Sequence, residues 1–110
     1  MILRRWHATI RSADEKAYID YIMATGASAY RETPGNLGFQ VLSRDLGQGV
    51  TEVVTLSWWH DIAAIKAFAG DDYEQSKYYA DDDRFLLTKT DRVEHYDVAI
   101  SDMQLPAGSK

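Results

Sequence analysis

Residues 50–59, VTEVVTLSWW, send apolar side chains to both sides of an extended chain. Strand alternation puts Val54, Leu56 and Trp58 on one face and Val53 and Trp59 on the other. A sheet with one face in water alternates more cleanly between apolar and polar residues. Both faces of any sheet built on this strand therefore need cover, and the flanking segments decide what supplies it.

Ile2 to Ile10 is rich in β-branched, aromatic and long side chains and too irregular in charge for an amphipathic helix, so it reads as a first strand. Ser12 then stands as an N-cap with Glu15 three residues on, the spacing of a capping box. The helix that follows carries a stripe of Tyr18, Tyr21 and Ile22, with Asp14, Lys16 and Asp20 largely off it. Gly26 weakens it, and Pro34-Gly35 ends it. LGFQVLSRDL reads as strand two, GQG as a hairpin turn, and VTEVVTLSWW as strand three. Asp61 caps a second helix whose buried face is Ile62, Ile65, Phe68 and Ala69, with Gly70 at its C-terminal end. A further helical piece is predicted over Tyr73 to Tyr79, and RVEHYDVAI is the last strand.

Strand, helix, strand, twice over, is the order of an α+β ferredoxin-like fold, βαββαβ, with a four-stranded antiparallel sheet and both helices on one face. The uncovered face then meets a second copy, giving a homodimer through sheet faces, a dimeric α/β barrel. At 110 residues, 45% hydrophobic and 26% charged, the chain suits one domain, here residues 1–101, followed by a C-terminal tail, 102–110.

A net charge of −5 gives no broad attraction to nucleic acid or anionic lipid, so neither is an expected partner. The absence of cysteine excludes disulfides, thiolate zinc sites and cysteine nucleophiles. Charges interrupt the first apolar residues, and no apolar run reaches membrane-spanning length, which points to the cytoplasm. There is no glycine-rich nucleotide turn, no Gly-x-Ser-x-Gly and no metal-ligand spacing. Asp81, Asp82 and Asp83 read as a solvated turn.

TPGNLGFQVL, TLSWWHDIAAIKAF and YYADDDRFLL with VEHYDV resemble the antibiotic biosynthesis monooxygenase (ABM) family. The likeness runs over residues 2 to 100, with Trp59 in the place of the family's strand-three tryptophan and Phe68 on the helix after it. It implies paired ferredoxin-like sheets and a family spanning cofactor-free oxygenases of aromatic polyketides, haem-degrading enzymes and proteins without a known activity. Haem-degrading relatives carry an asparagine near the position of Trp6 and an iron-binding histidine in the second helical region. This chain has neither, since residues 61 to 80 contain no histidine.

The face of Thr55, Ser57 and Trp59 mixes polar and aromatic groups, as a small-molecule cavity does, whereas that of Val54, Leu56 and Trp58 suits the dimer core. Trp59 is open to two readings, a core tryptophan or, as the resemblance implies, a surface that stacks on a flat substrate. Trp6, a candidate to stack on the substrate like Trp59, shares one face of strand one with Arg4, and His7 takes the other. His60 reads as an exposed loop histidine. His95 lies within the last strand and is the candidate base, with Asp97 on the same face. Arg4 and Arg84 are candidate anchors for a phenolate, enolate or carboxylate. Tyr78 and Tyr79 are candidate substrate contacts, with packing as the alternative. The expected activity is that of a cofactor-independent monooxygenase on a phenol, hydroquinone or anthrone, with no cofactor. The alternatives are a non-catalytic binder of a small hydrophobic molecule and a haem-binding or haem-degrading protein.

Overall fold

In the computed structural model residues 1–103 are described, so the expected tail beyond Met103 lies outside the described residues. The sheet is built from β1 (Ile2–Arg11), β2 (Asn36–Gly47), β3 (Val50–Trp59), β4 (Leu86–Lys89) and β5 (Glu94–Asp97). Its order is β2-β3-β1-β4, every pair antiparallel, with β5 also on β1. β4 pairs with Ala8–Ile10 and β5 with Ile2–Arg5, so the two lie end to end along one edge of β1 and together fill the fourth ferredoxin-like position. Helices α1 (Glu15–Ala24), α2 (Gly26–Glu32) and α3 (Ile62–Ala69) and the short α4 (Asp82–Phe85) complete the fold.

The alternation of β3 fixes the layers. Thr51, Val53, Thr55, Ser57 and Trp59 are buried, while Val50, Glu52, Val54, Leu56 and Trp58 are half-buried. The buried set faces two apolar clusters. One joins Trp59 and Ile2 to Tyr30, Ile65 and Phe68, and the other joins Val53 and Ile10 to Tyr18, Ile22 and Phe85. On the opposite face Leu3, Val54, Leu56 and Trp58 remain half-buried and Leu42 and Tyr96 exposed, an apolar surface edged by the Arg5–Glu94 and Arg44–Glu52 ion pairs. Among the described residues no helix is long and apolar enough to cross a membrane.

Several local expectations are met. Asp61 caps α3, its Oδ1 accepting from the Ala64 N–H at 2.9 Å, and Gly70 closes the helix at φ 93°. Gly35, at φ 92°, is required by space as well as by its backbone, because a Cβ there would lie 2.5 Å from Cβ of Ala64. His60 is exposed and donates its backbone N–H to the Gly35 carbonyl.

Other expectations are corrected. No capping box forms: Ser12 belongs to a 3-10 turn, Ser12–Asp14, and bonds Thr51 at 2.7 Å, while Glu15 accepts from Ser43 at 3.0 Å. The first helix breaks at Thr25, one residue before Gly26. Tyr73 to Tyr79 is not helical. Gln75 bridges to Arg92, Ser76 donates to the Asp91 carbonyl, and Val93 donates to that of Glu74, so backbone groups a helix would use internally pair with residues 91–93 instead. The strand expected over residues 92–100 is confined to β5, and β4 is a further strand that the sequence reading did not include.

Candidate active site

Between the sheet and its helices, where the two apolar clusters meet, is a cavity of about 50 Å³. The sheet supplies Arg4, Trp6 and Thr55; α1 supplies Tyr18 and Ile22; the helix break supplies Thr25 and Gly26. Tyr30 and Phe68 close one side, and Lys77, Tyr79 and Asp82 come from the extended segment and the start of α4. Five aromatic side chains, Trp6, Tyr18, Tyr30, Phe68 and Tyr79, contribute to the wall.

Arg4 is 3% exposed and has no carboxylate partner among the described residues. Its Nη1 donates to the Tyr73 carbonyl and meets Nε2 of His95 at 3.0 Å, and its Nη2 donates to the Gln75 carbonyl at 3.3 Å. Its guanidinium also lies 5.7 Å from the centre of the Phe68 ring. Burial pulls its pKa below the ordinary value, with nearby Tyr30 and Tyr79 opposing. Guanidinium stays charged at neutral pH regardless. The result is a buried positive charge held by neutral acceptors, which costs solvation energy and offers a place for an anion. Lys77 adds a second cation, its Nζ donating to the Phe68 carbonyl at 2.9 Å and lying 4.5 Å from that ring's centre.

Around α4 the cavity has acidic and phenolic groups. Asp82 is 6% exposed, and its Oδ2 accepts from the Tyr79 N–H at 2.5 Å. Burial raises its pKa, Asp83 and Asp81 raise it further, and the Tyr79 N–H and Lys89 pull the other way. Tyr79 has a buried hydroxyl without a partner and a pKa pushed up to about 12, chiefly by burial. Burial, then Asp82, raises that of Tyr18 as well.

Of the residues singled out from the sequence, the cavity gathers Arg4, Trp6, Thr55 and Tyr79. Tyr78 stands one step back, accepting the Trp6 Nε1–H at 3.3 Å and donating to the Thr90 carbonyl, and so fixes the Trp6 ring. Trp59 is fully buried against Tyr30 and Phe68, and its Nε1–H goes to Ser57 Oγ at 2.9 Å. Both residues belong to the core beside the cavity, and neither borders it. His95 does not border the cavity. It lies behind Arg4, its ring edge-on to Tyr73, and burial followed by Arg4 lowers its pKa. Asp97 is exposed, and the partner of the His95 imidazole is Arg4 instead. Arg84 is exposed over the Phe85 ring, away from the cavity wall.

The sequence reading missed Asp82, Lys77, Tyr30 and Phe68 as cavity residues. Tyr18 was legible as part of the α1 stripe. Asp82 was hidden among like neighbours, because only the packing of α4 against α1 distinguishes it from exposed Asp81 and Asp83.

Neither a protein-family model nor a curated protein matches the chain. Solved structures do. A Bacillus cereus protein provisionally named an antibiotic biosynthesis monooxygenase superposes with a TM-score of 0.60 at 19% identity, over 94% of this chain and 97% of that one. The fold is that of the antibiotic biosynthesis monooxygenases. The ABM fold also relates it to the haem-degrader MhuD of Mycobacterium tuberculosis, solved with two haems in its active site (TM-score 0.56, 19% identity, 94% and 100% covered). A monooxygenase from the gene ActVA-Orf6 of Streptomyces coelicolor, in complex with nanaomycin D, is similar at 0.54 and 14%, over 96% of this chain and 92% of that one.

The residues of this ABM-fold cavity do not suit haem. None of the three histidines borders it: His7 faces the open side of the sheet, His60 is exposed, and His95 has its Nε2 engaged by Arg4. Tyr79 borders it, but its raised pKa disfavours the phenolate that binds iron.

Proposed function

We propose that the chain is a cofactor-independent monooxygenase-like enzyme acting on a small, flat, acidic aromatic molecule of the phenol, hydroquinone or anthrone class. The observation that carries this reading is Arg4, a buried cation without an anionic partner among the described residues, at the wall of an aromatic cavity. A ligand that becomes a phenolate or enolate supplies the missing negative charge. The site then stabilises that charge in a water-poor setting, where electrostatic interactions are strong. Trp6 and Tyr79 provide flat surfaces, and Lys77 a second positive group.

A cavity of about 50 Å³ holds a few waters, against the roughly 300 Å³ or more usual for a site enclosing a drug-sized ligand. Binding therefore requires a wall to move. Residues 70–81, which supply Lys77 and Tyr79, are the part of the wall without a helix or strand. Two copies associating through the apolar sheet face leave each cavity beneath its own helices.

Oxygen uptake with a panel of anthrones and quinols tests the proposal. The wild type consumes oxygen above background, and Arg4→Met loses most of that rate. No uptake above background with any member of the panel overturns the oxygenase reading. Saturable binding of an unchanged ligand in that event favours a non-catalytic binder.

A further inference from the structure

Asp82 is the carboxylate that borders the cavity. Its Oδ2 is held by the Tyr79 N–H, and Oδ1, which is not among the fully buried unpartnered atoms, keeps some exposure where the residue borders the cavity. It is not the counter-ion of Arg4, because no salt bridge joins them. Lys89, the cation that acts on it most, gives its ammonium to Asp83 at 2.9 Å. A buried carboxylate at a cavity wall is poorly explained by packing, since a neutral residue would fill the place without the desolvation penalty.

We propose that Asp82 is the proton acceptor of the reaction, taking a proton from an acidic C–H or O–H of the substrate while the developing negative charge is stabilised by Arg4. This rests on the reading of the cavity as an oxygenase site. For a ring methylene, the C–H bond breaks, its electron pair stays on the substrate, and a new O–H bond forms on Asp82. The carbanion adds to molecular oxygen, the oxidant, and the proton returns to the resulting peroxide. Loss of the second C–H proton to Asp82, with cleavage of the O–O bond, leaves a carbonyl and hydroxide, which the proton converts to water. The carbon is oxidised by four electrons and the oxygen molecule reduced by four. The groups facing Asp82 are Tyr18 and Tyr21 of α1, Tyr79, Asp81 and Asp83 of its own turn, and Lys89 of β4. Burial raises its pKa from the ordinary carboxylate value, with Asp83 and Asp81 adding to the rise and the Tyr79 N–H and Lys89 opposing it, and that is the direction that suits a base.

The test separates proton transfer from oxygenation. Under anaerobic conditions in deuterium oxide, the wild type accelerates exchange of the methylene hydrogens of a dihydroxyanthrone, followed by mass spectrometry. Asp82→Asn, whose amide oxygen still accepts from the Tyr79 N–H, loses about 100-fold or more of that acceleration. Asp20→Asn, an exposed carboxylate on α1 that pairs with Lys16 outside the cavity, matches the wild type. Exchange by Asp82→Asn at the wild-type rate overturns the proposal, as does a wild type that catalyses no exchange. Should Asp82→Asn fail to fold, the wild-type profile decides: an enzymatic rate that rises as pH climbs past the ordinary carboxylate value of 3.8 supports it, and a flat one overturns it. Asp82-dependent exchange without oxygen uptake in air retains this inference and removes the oxygenase reading. Oxygen uptake with exchange that ignores Asp82 does the reverse.

Discussion

Nη1 of Arg4 lies 3.0 Å from Nε2 of His95, and because a guanidinium has no lone pair to share, the imidazole is the acceptor. His95 therefore presents an unprotonated Nε2 to Arg4, while its buried Nδ1 has no partner among the described residues. His95→Leu removes an acceptor from a buried cation and should weaken binding of an anionic quinol about 10-fold. His95→Gln, which keeps an acceptor oxygen, should recover most of that affinity in the same titration.

The same contact predicts a pH dependence. Burial and Arg4 lower the folded-state pKa of His95 below the ordinary 6.5. Above 6.5 both states are neutral, and as pH falls through it the unfolded chain binds a proton that the native protein refuses. Thermal unfolding should show stability declining as pH falls from 6.5 toward the folded value, with a shallower slope in His95→Gln.

Trp6 and Trp59 separate function from packing. Trp59→Ala empties a core site that is fully buried and should cost about 3–5 kcal/mol in denaturant unfolding. Trp6→Ala, at the half-buried cavity wall, should cost less and instead reduce ligand affinity.

Hemin should give no saturable Soret shift at equimolar addition. The histidines lie off the cavity, and Tyr79 favours its protonated form. A saturable shift abolished by Tyr79→Phe would reverse that conclusion.

The fold was legible because its signals are local. Alternation in β3, the Asp61 cap, Gly70 and the Pro34-Gly35 turn each act within a few residues, and together they set element order and the face of each strand residue. The face shared by Arg4 and Trp6 followed from alternation too. Depth did not: Thr55 reaches the cavity while Ser57 and Trp59, on the same face of the same strand, are sealed beneath α2 and α3. Tyr73 to Tyr79 misled because its backbone pairs with residues 91–93, a long-range contact with no local signature. That segment and α4 bring in Lys77 and Asp82, so the least legible part of the chain completes the site.

Asp82→Asn should stabilise the protein near neutral pH. Burial raises the folded-state pKa of Asp82 above the ordinary 3.8, so as pH rises past 3.8 the unfolded chain ionises before the native one and stability falls. Asparagine removes this penalty and keeps an acceptor for the Tyr79 N–H. Urea unfolding should therefore find the variant more stable than wild type at neutral pH, with the difference shrinking as pH falls toward 3.8. A variant less stable at every pH would identify the carboxylate as a structural anchor.

The open sheet face carries the remaining prediction. Leu3, Val54, Leu56 and Trp58 form an apolar surface with exposed Leu42 and Tyr96, and a second copy meeting it face to face would bury it by two-fold symmetry. Sedimentation at micromolar concentration should report a particle of about 25 kDa, twice the chain mass of 12.5 kDa. Leu56→Asp places a charge at the middle strand of that surface and should shift the equilibrium to monomer while leaving the helix-side core untouched. A folded wild-type particle of 12.5 kDa would show that this face is covered in some other way.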